Sequence, residues 1–190
     1  MNESSTAKVE TGRMALSLVY DLMEVLVSAL IVVAIIFTFF FRTAGVEGES
    51  MNDTLNNEDR LIMYNFCYTP ARGDIVIVNR YHEGDTSSEI KKPLIKRVIG
   101  IAGDTIKVSK DEVYVNGKRL DEPYVHYSNN PPHEPGEVIE VTVPEGKVFV
   151  MGDHRNASSD SRNYGCFDVE DIMGKALWRI FPSEDFGSVY

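Results

Sequence analysis

Two hydrophobic patterns divide the chain. Val25 to Phe41 is seventeen residues without a charge, closed by Arg42. A helix rises about 1.5 Å per residue, so this run predicts a span of roughly 25 Å, near the shortest that crosses a bilayer core. If Met14 to Glu24 continues the helix the length is ample, and the predicted anchor is residues 14–42. Residues 1–13 are polar, with Lys8 and Arg13 against Glu3 and Glu10, and are expected to form a disordered tail. A cleaved secretory leader is the competing reading. The length of the run, its bulky end Phe39-Phe40-Phe41-Arg42, and Asp21 and Glu24 just upstream all oppose it.

From Val46 the pattern becomes that of short strands. Leu61–Phe66, Asp74–Arg80, Leu94–Ile101, Thr105–Ser109, Glu112–Val115, Val138–Val143 and Lys147–Met151 are β-rich runs separated by Gly or Pro turns. Asn116-Gly117 after Val113-Tyr114-Val115 predicts a two-residue hairpin. Residues 82–92 and 126–137 read as exposed loops, the second carrying three prolines that no ladder tolerates. Val169–Phe181 predicts a short turn and a last strand around Trp178. The expected architecture is mostly β: a partly closed antiparallel domain, residues 43–190, on one N-terminal transmembrane helix.

Charge narrows the partners. The chain carries a net −10, and from Thr43 onward 16 basic face 25 acidic side chains. That excess argues against a nucleic-acid surface and leaves apolar contact as the means of touching lipid beyond the helix. Lys8 and Arg13 before the helix, against Arg42 directly after it, predict a cytoplasmic N-terminus and a domain outside. Cys67 and Cys166 are too few for a disulfide scaffold; unlinked thiols are expected, with pairing outside the cytoplasm as the alternative. His82, His126, His133 and His154 have no ligand-like spacing, so neither a metal nor a cofactor is expected.

Three stretches could carry chemistry. Ser50 lies eight residues beyond Arg42, and Val46 and Gly48 alternating with Glu47 and Glu49 suggest an extended strand leading to it. In Leu94-Ile95-Lys96-Arg97-Val98-Ile99-Gly100, alternation puts Lys96 between Leu94 and Val98 on one face and Arg97 on the other. A lysine between two apolar neighbours is poised for desolvation, which lowers its pKa. A lysine snorkelling from a strand edge is the plainer alternative. Gly152-Asp153-His154-Arg155-Asn156-Ala157-Ser158-Ser159-Asp160-Ser161-Arg162 is either a polar turn or a loop holding an Asp–Arg pair and a hydroxyl against a site.

Together these pieces resemble the bacterial type I signal peptidases (leader peptidases), membrane-anchored Ser/Lys proteases. The family pattern is Ser-Met-x-Pro-Thr-Leu after the anchor, then Lys-Arg-x-x-Gly-x-x-Gly-Asp on a strand, then Gly-Asp-Asn-Arg-x-x-Ser-x-Asp-Ser-Arg. Here they read Ser50-Met51-Asn52-Asp53-Thr54-Leu55, Lys96-Arg97-Val98-Ile99-Gly100-Ile101-Ala102-Gly103-Asp104, and the 152–162 run. The resemblance implies Ser50 as nucleophile and Lys96 as general base. It implies Ser158 as the hydroxyl that orients the lysine, Asp160 and Arg162 as a structural ion pair, Asp153 as a residue shaping the site, and Met51 as packing beside the nucleophile. Val46, Glu47, Gly48 and Glu49 would pair with an extended substrate. The implied substrates are preprotein signal peptides ending in small-x-small, cut at the bacterial plasma membrane near the secretion translocon, in contact with lipid. A specialised Ser/Lys processing peptidase of the same fold and an inactive anchored binding module are the alternatives.

Three positions depart from the pattern. Asp53 replaces proline, His154 replaces asparagine, and Gly48 brings no side-chain donor to the oxyanion where some members have serine. The backbone N–H of Ser50 then remains as donor.

Overall fold

The computed structural model describes residues 3–79, 93–109, 112–128 and 138–190. The predicted loop at 82–92, most of that at 126–137, and Arg80 lie outside them. Two compact units divide the chain, residues 1–41 and 42–190.

The first unit is helix α1, Glu3–Phe40. Its start lies well before Met14, inside the segment expected to be a tail, because adding residues to a nucleated helix gains one hydrogen bond each at little further cost. Leu16–Phe40 is 25 residues long and apolar enough to cross a membrane. Leu22, Val25, Leu30 and Phe37 are all more than half exposed, so apolar surface runs along it with no protein cover. Ser17, Ser28 and Thr38 turn their hydroxyls back onto the carbonyls of Met14, Val25 and Ala34, which satisfies them inside the helix as a lipid environment requires.

The second unit is mostly β. Its strands are β1 Phe41–Gly45, β2 Arg60–Tyr64, β3 Ile75–Val78, β4 Leu94–Ile101, β5 Thr105–Ser109, β6 Glu112–Val115, β7 Lys118–Arg119, β8 Ile139–Thr142, β9 Lys147–Met151, β10 Phe167–Asp168, β11 Ile172–Phe181 and β12 Gly187–Ser188. One curled, half-barrel sheet runs β1-β2-β11-β3-β4-β9-β10, with β12 on β11, and a second runs β7-β6-β5-β8. From β2 onward, the pairs whose register is described are antiparallel. The Asn116-Gly117 turn joins β6 to β7 with both residues at positive φ, 53° and 77°.

Strand β4 is the spine of this unit. Leu94 and Val98 pack with Val76, Val78, Val148, Val150 and Phe167. Ile95 joins the cluster of Met51, Leu55, Leu61, Met63 and Ile77, and Ile99 joins that of Ile106, Val113, Phe149 and Met151. The alternation read from the sequence is therefore present, but both faces are covered, as in a central strand.

The segment Val46–Ser50 is not a strand. β1 ends at Gly45, and Gly48 takes φ +88°, a left-handed conformation that an extended strand excludes. Val46 is buried while Glu47, Gly48 and Glu49 are all exposed, so no alternation survives. The segment instead folds against residues 57–59: Val46 N–H donates to Asp59 O, Glu58 N–H to Val46 O, and Gly48 N–H to the Asn57 side chain. Cys67 and Cys166 are both free thiols.

Candidate active site

The turn after Gly48 holds Ser50 over a packed floor. Met51 is 1% exposed and sits in the cluster with Ile95, while Leu55 N–H closes the turn on Met51 O. Thr54, at the end of this turn, donates its hydroxyl to Asp153 Oδ2 at 2.6 Å.

Lys96 comes to Ser50 from the middle of β4. Its Nζ lies 2.7 Å from Ser50 Oγ and 3.0 Å from the carbonyl oxygen of Ile95. The residue is 3% exposed, which excludes the snorkelling alternative. Burial pushes its pKa down to about 8. Arg162 pushes the same way, whereas the carboxylates of Asp160 and Asp153 oppose it.

Gly152 decides how closely the 152–162 loop approaches. A Cβ there would lie 2.3 Å from Ser158 Oγ and 2.4 Å from the carbonyl oxygen of Ser50. Only glycine lets this loop lie against the backbone of Ser50. The sequence reading assigned Gly152 no role, although its place opening the motif was the available signal.

Asp160 and Arg162 form the expected ion pair, with Nη2 to Oδ2 at 2.8 Å and Nε to Oδ1 at 2.9 Å. Burial alone would raise the Asp160 carboxyl. Arg162, the Gly152 amide and the Ser158 hydroxyl hold it below the usual range. Asp160 also caps the short helix α2, Ser161–Tyr164. Ser158 differs from expectation. Its hydroxyl donates to Asp160 Oδ2 at 2.7 Å, and no hydrogen bond joins it to Lys96. The proton of the hydroxyl goes to the carboxylate in a charge-assisted bond, which leaves the Oγ lone pairs as acceptors.

Asp153 has more partners than the sequence suggested. It takes Arg97 Nε and Nη2 as well as Thr54, and Arg97 in turn stacks on Tyr124, 3.9 Å from the ring centroid. These contacts span chain separations that no local motif reveals.

Thr43, Ala44, Gly45 and Glu47 line a 280 Å³ pocket, with Pro93 and Ile95, the neighbour of Lys96, among its other lining residues. Met63, Ile77 and Met173 make the rest of the lining apolar. Backbone pairing along Val46–Glu49 is limited, because the Val46 N–H and C=O, the Gly48 N–H and the Glu49 C=O are already bonded within the protein.

The family model described as "Signal peptidase, peptidase S26" matches residues 19–181. Signal peptidase I P of Bacillus subtilis subsp. natto is 39% identical over 173 residues, covering 86% of this chain and 90% of that protein. Signal peptidase IB of Staphylococcus aureus (strain Mu50) is 32% identical over 187 residues, covering 87% and 93%. A crystal structure of a signal peptidase I from Enterococcus faecalis V583 is 30% identical, with 57% of this chain and 97% of that one covered at a TM-score of 0.44.

Proposed function

This chain belongs to the signal peptidase family, peptidase S26, and from that membership we propose that it removes N-terminal signal peptides from exported preproteins by a Ser/Lys dyad, cutting after small-x-small sequences. The observation that carries the dyad is the 2.7 Å between Lys96 Nζ and Ser50 Oγ, with the amine shut away from water. A pKa of about 8 leaves roughly a tenth of the molecules with a neutral amine at pH 7, against fewer than about one in a thousand for free lysine.

In the proposed reaction the neutral Lys96 takes the Ser50 proton as Oγ bonds the scissile carbonyl carbon. The carbonyl π electrons move to oxygen, and the Ser50 N–H donates to that oxyanion. The C–N bond then breaks, Lys96 returns its proton to the leaving amine, and the signal peptide stays esterified to Ser50. Water attacks the ester while Lys96 takes its proton and returns it to Ser50 Oγ, releasing a carboxylic acid that ionises. Asp160, Arg162 and Asp153 act on the charge of Lys96, and Met51 fixes the floor beneath Ser50.

The apolar pocket beside Ile95 supports a preference for small aliphatic side chains. Val46, Glu47, Gly48 and Glu49 serve in this reading as one wall of the groove more than as a continuous ladder. Trp178, Phe181 and Phe186 are 54%, 53% and 66% exposed, and Phe181 lines a second pocket with Gly48, which supports contact of this rim with lipid. Lys8 and Arg13, ahead of the apolar Leu16–Phe40 stretch of α1, support a cytoplasmic N-terminus, with the 42–190 unit on the outer face near the translocon.

Purified full-length chain in detergent, given a generic preprotein, tests the function. The expected result is one product ending in a small residue, formed by the wild type and absent with folded Ser50→Ala. Wild-type protein that is folded yet leaves a preprotein panel uncut would overturn the proposal.

A further inference from the structure

Asp53 and His154, two of the positions that depart from the family motif, are joined in the structure through one further residue, His126. His154 is 3% exposed and grips the nucleophile turn twice. Its Nδ1 lies 3.0 Å from the Glu49 carbonyl oxygen, and its backbone N–H donates to Ser50 O at 3.1 Å. A carbonyl oxygen only accepts, so Nδ1 carries the proton. Nε2 is buried without a hydrogen-bond partner among the described residues, so the ring's one polar tie is to Glu49.

His126 supports that ring from the side. The two rings meet edge to face with centroids 4.9 Å apart, and the two backbones form a parallel bridge. His126 Nδ1 lies 3.0 Å from Asp53 Oδ2. The Asp53 side chain is 81% exposed, so this outer tie is weak. The tie from the buried His154 ring to Glu49 is the one that matters.

Glu49 O and Ser50 N–H are the two ends of one peptide unit. In a planar trans peptide they point in opposite directions, so holding the oxygen aims the N–H. We propose that His154 is a positioning residue for the oxyanion donor: its grip on Glu49 O fixes the plane of the peptide whose N–H, at Ser50, receives the charge of the tetrahedral intermediate. The amide of Asn52 also donates to Glu49 O, at 3.1 Å, but it belongs to the same turn and moves with it. His154 ties that turn to the 152–162 loop. With Gly48 contributing no side chain, the aim of the Ser50 N–H has no hydroxyl at position 48 to back it. This inference rests on the Ser50/Lys96 reading above.

Two substitutions separate positioning from packing. His154→Phe keeps a ring of similar size and removes the donor. His154→Asn shrinks the side chain but keeps an N–H that can reach Glu49 O. Measured on the full chain in detergent with a preprotein, His154→Phe is expected to lose about 10- to 100-fold in kcat, with KM within about threefold of wild type. His154→Asn is expected to stay within about threefold in kcat. Thermal unfolding should rank them the other way, with the Phe variant the more stable. The alkaline-rising limb set by Lys96 should not move in either. If the Phe variant does not fold, His154→Ala replaces it and should turn over more slowly than His154→Asn, which packs as poorly. Wild-type kcat in the variant without a donor, or an Asn variant as slow as it, overturns the proposal while Ser50-dependent cleavage stands. Cleavage that survives Ser50→Ala overturns the dyad and this proposal together.

Discussion

Arg97 and Asp153 form a two-pronged ion pair, Nε to Oδ1 at 2.8 Å and Nη2 to Oδ2 at 2.6 Å, with both side chains buried. Because Asp153 also holds Thr54, the pair ties the strand that carries Lys96 to the turn that carries Ser50. Alternation sets Arg97 across the strand from Lys96, as if its loss would leave the lysine undisturbed. The pairing predicts otherwise. Asp153 raises the pKa of Lys96, and Arg97 is the charge partner of that carboxylate.

Arg97→Ala is therefore expected to move the rising limb of kcat to higher pH. It should also destabilise the domain by about 3–5 kcal/mol, because Asp153 is left buried and unpaired. Urea unfolding and a pH–rate profile measure the two effects. A limb that stays in place would mean Asp153 does not act on Lys96.

Gly152→Ala tests the close approach of the loop to Ser50. The added methyl group would meet the Ser50 carbonyl oxygen at 2.4 Å, so the backbone must shift. Overpacking of this kind costs about 1–3 kcal/mol, and displacement of the nucleophile by even about 1 Å lowers turnover on the order of a hundredfold. Steady-state kinetics alongside thermal unfolding should find the loss in kcat larger than the loss in stability implies.

A buried amine held near a pKa of 8 also costs stability. Between that value and the unfolded pKa of 10.5, the unfolded chain binds more protons, so this contribution to stability rises with pH. Below about pH 8 the penalty is complete, roughly 3 kcal/mol. Lys96→Met, which fills the space without a charge, is expected to be more stable than wild type at pH 7. The advantage should shrink as pH approaches 10. Chemical denaturation of both proteins at the two pH values checks this, and an advantage that does not change with pH would contradict it.

Substrate choice should follow the pocket beside Ile95. Replacing alanine by phenylalanine immediately before the scissile bond is expected to abolish cleavage there, read by mass spectrometry of the products. Equal cleavage of both substrates would remove the pocket from the mechanism.

Strands β4, β5, β6 and β9 are legible to the residue in the sequence, because alternation runs through them and Gly or Pro marks every end except the one between β5 and β6, where Lys110-Asp111 breaks the pattern. β1 is not, since it begins at Phe41, which continues the apolar run of the helix, and Arg42-Thr43-Ala44-Gly45 shows no alternation. Val46–Ser50 misleads because Val, Glu, Gly, Glu imitates alternation, and the positive φ of Gly48 leaves no sign in the letters. β7, β10 and β12 are two residues each, too short for any period. At the site, motif order brings Ser50 and Lys96 together on paper as the fold does in space. The bond from Ser158 to Asp160 depends on which way the hydroxyl turns, which only geometry resolves.

The dyad is tested most directly by the pH dependence of kcat for the wild type and for Lys96→Arg, each purified as the full chain and verified as folded. The wild type is expected to rise along a limb centred near pH 8, the value that burial gives Lys96. Lys96→Arg should show no Ser50-dependent turnover at any pH up to 10, because a guanidinium does not give up its proton in that range. Wild-type cleavage by folded Lys96→Arg would contradict the assignment of Lys96 as the base.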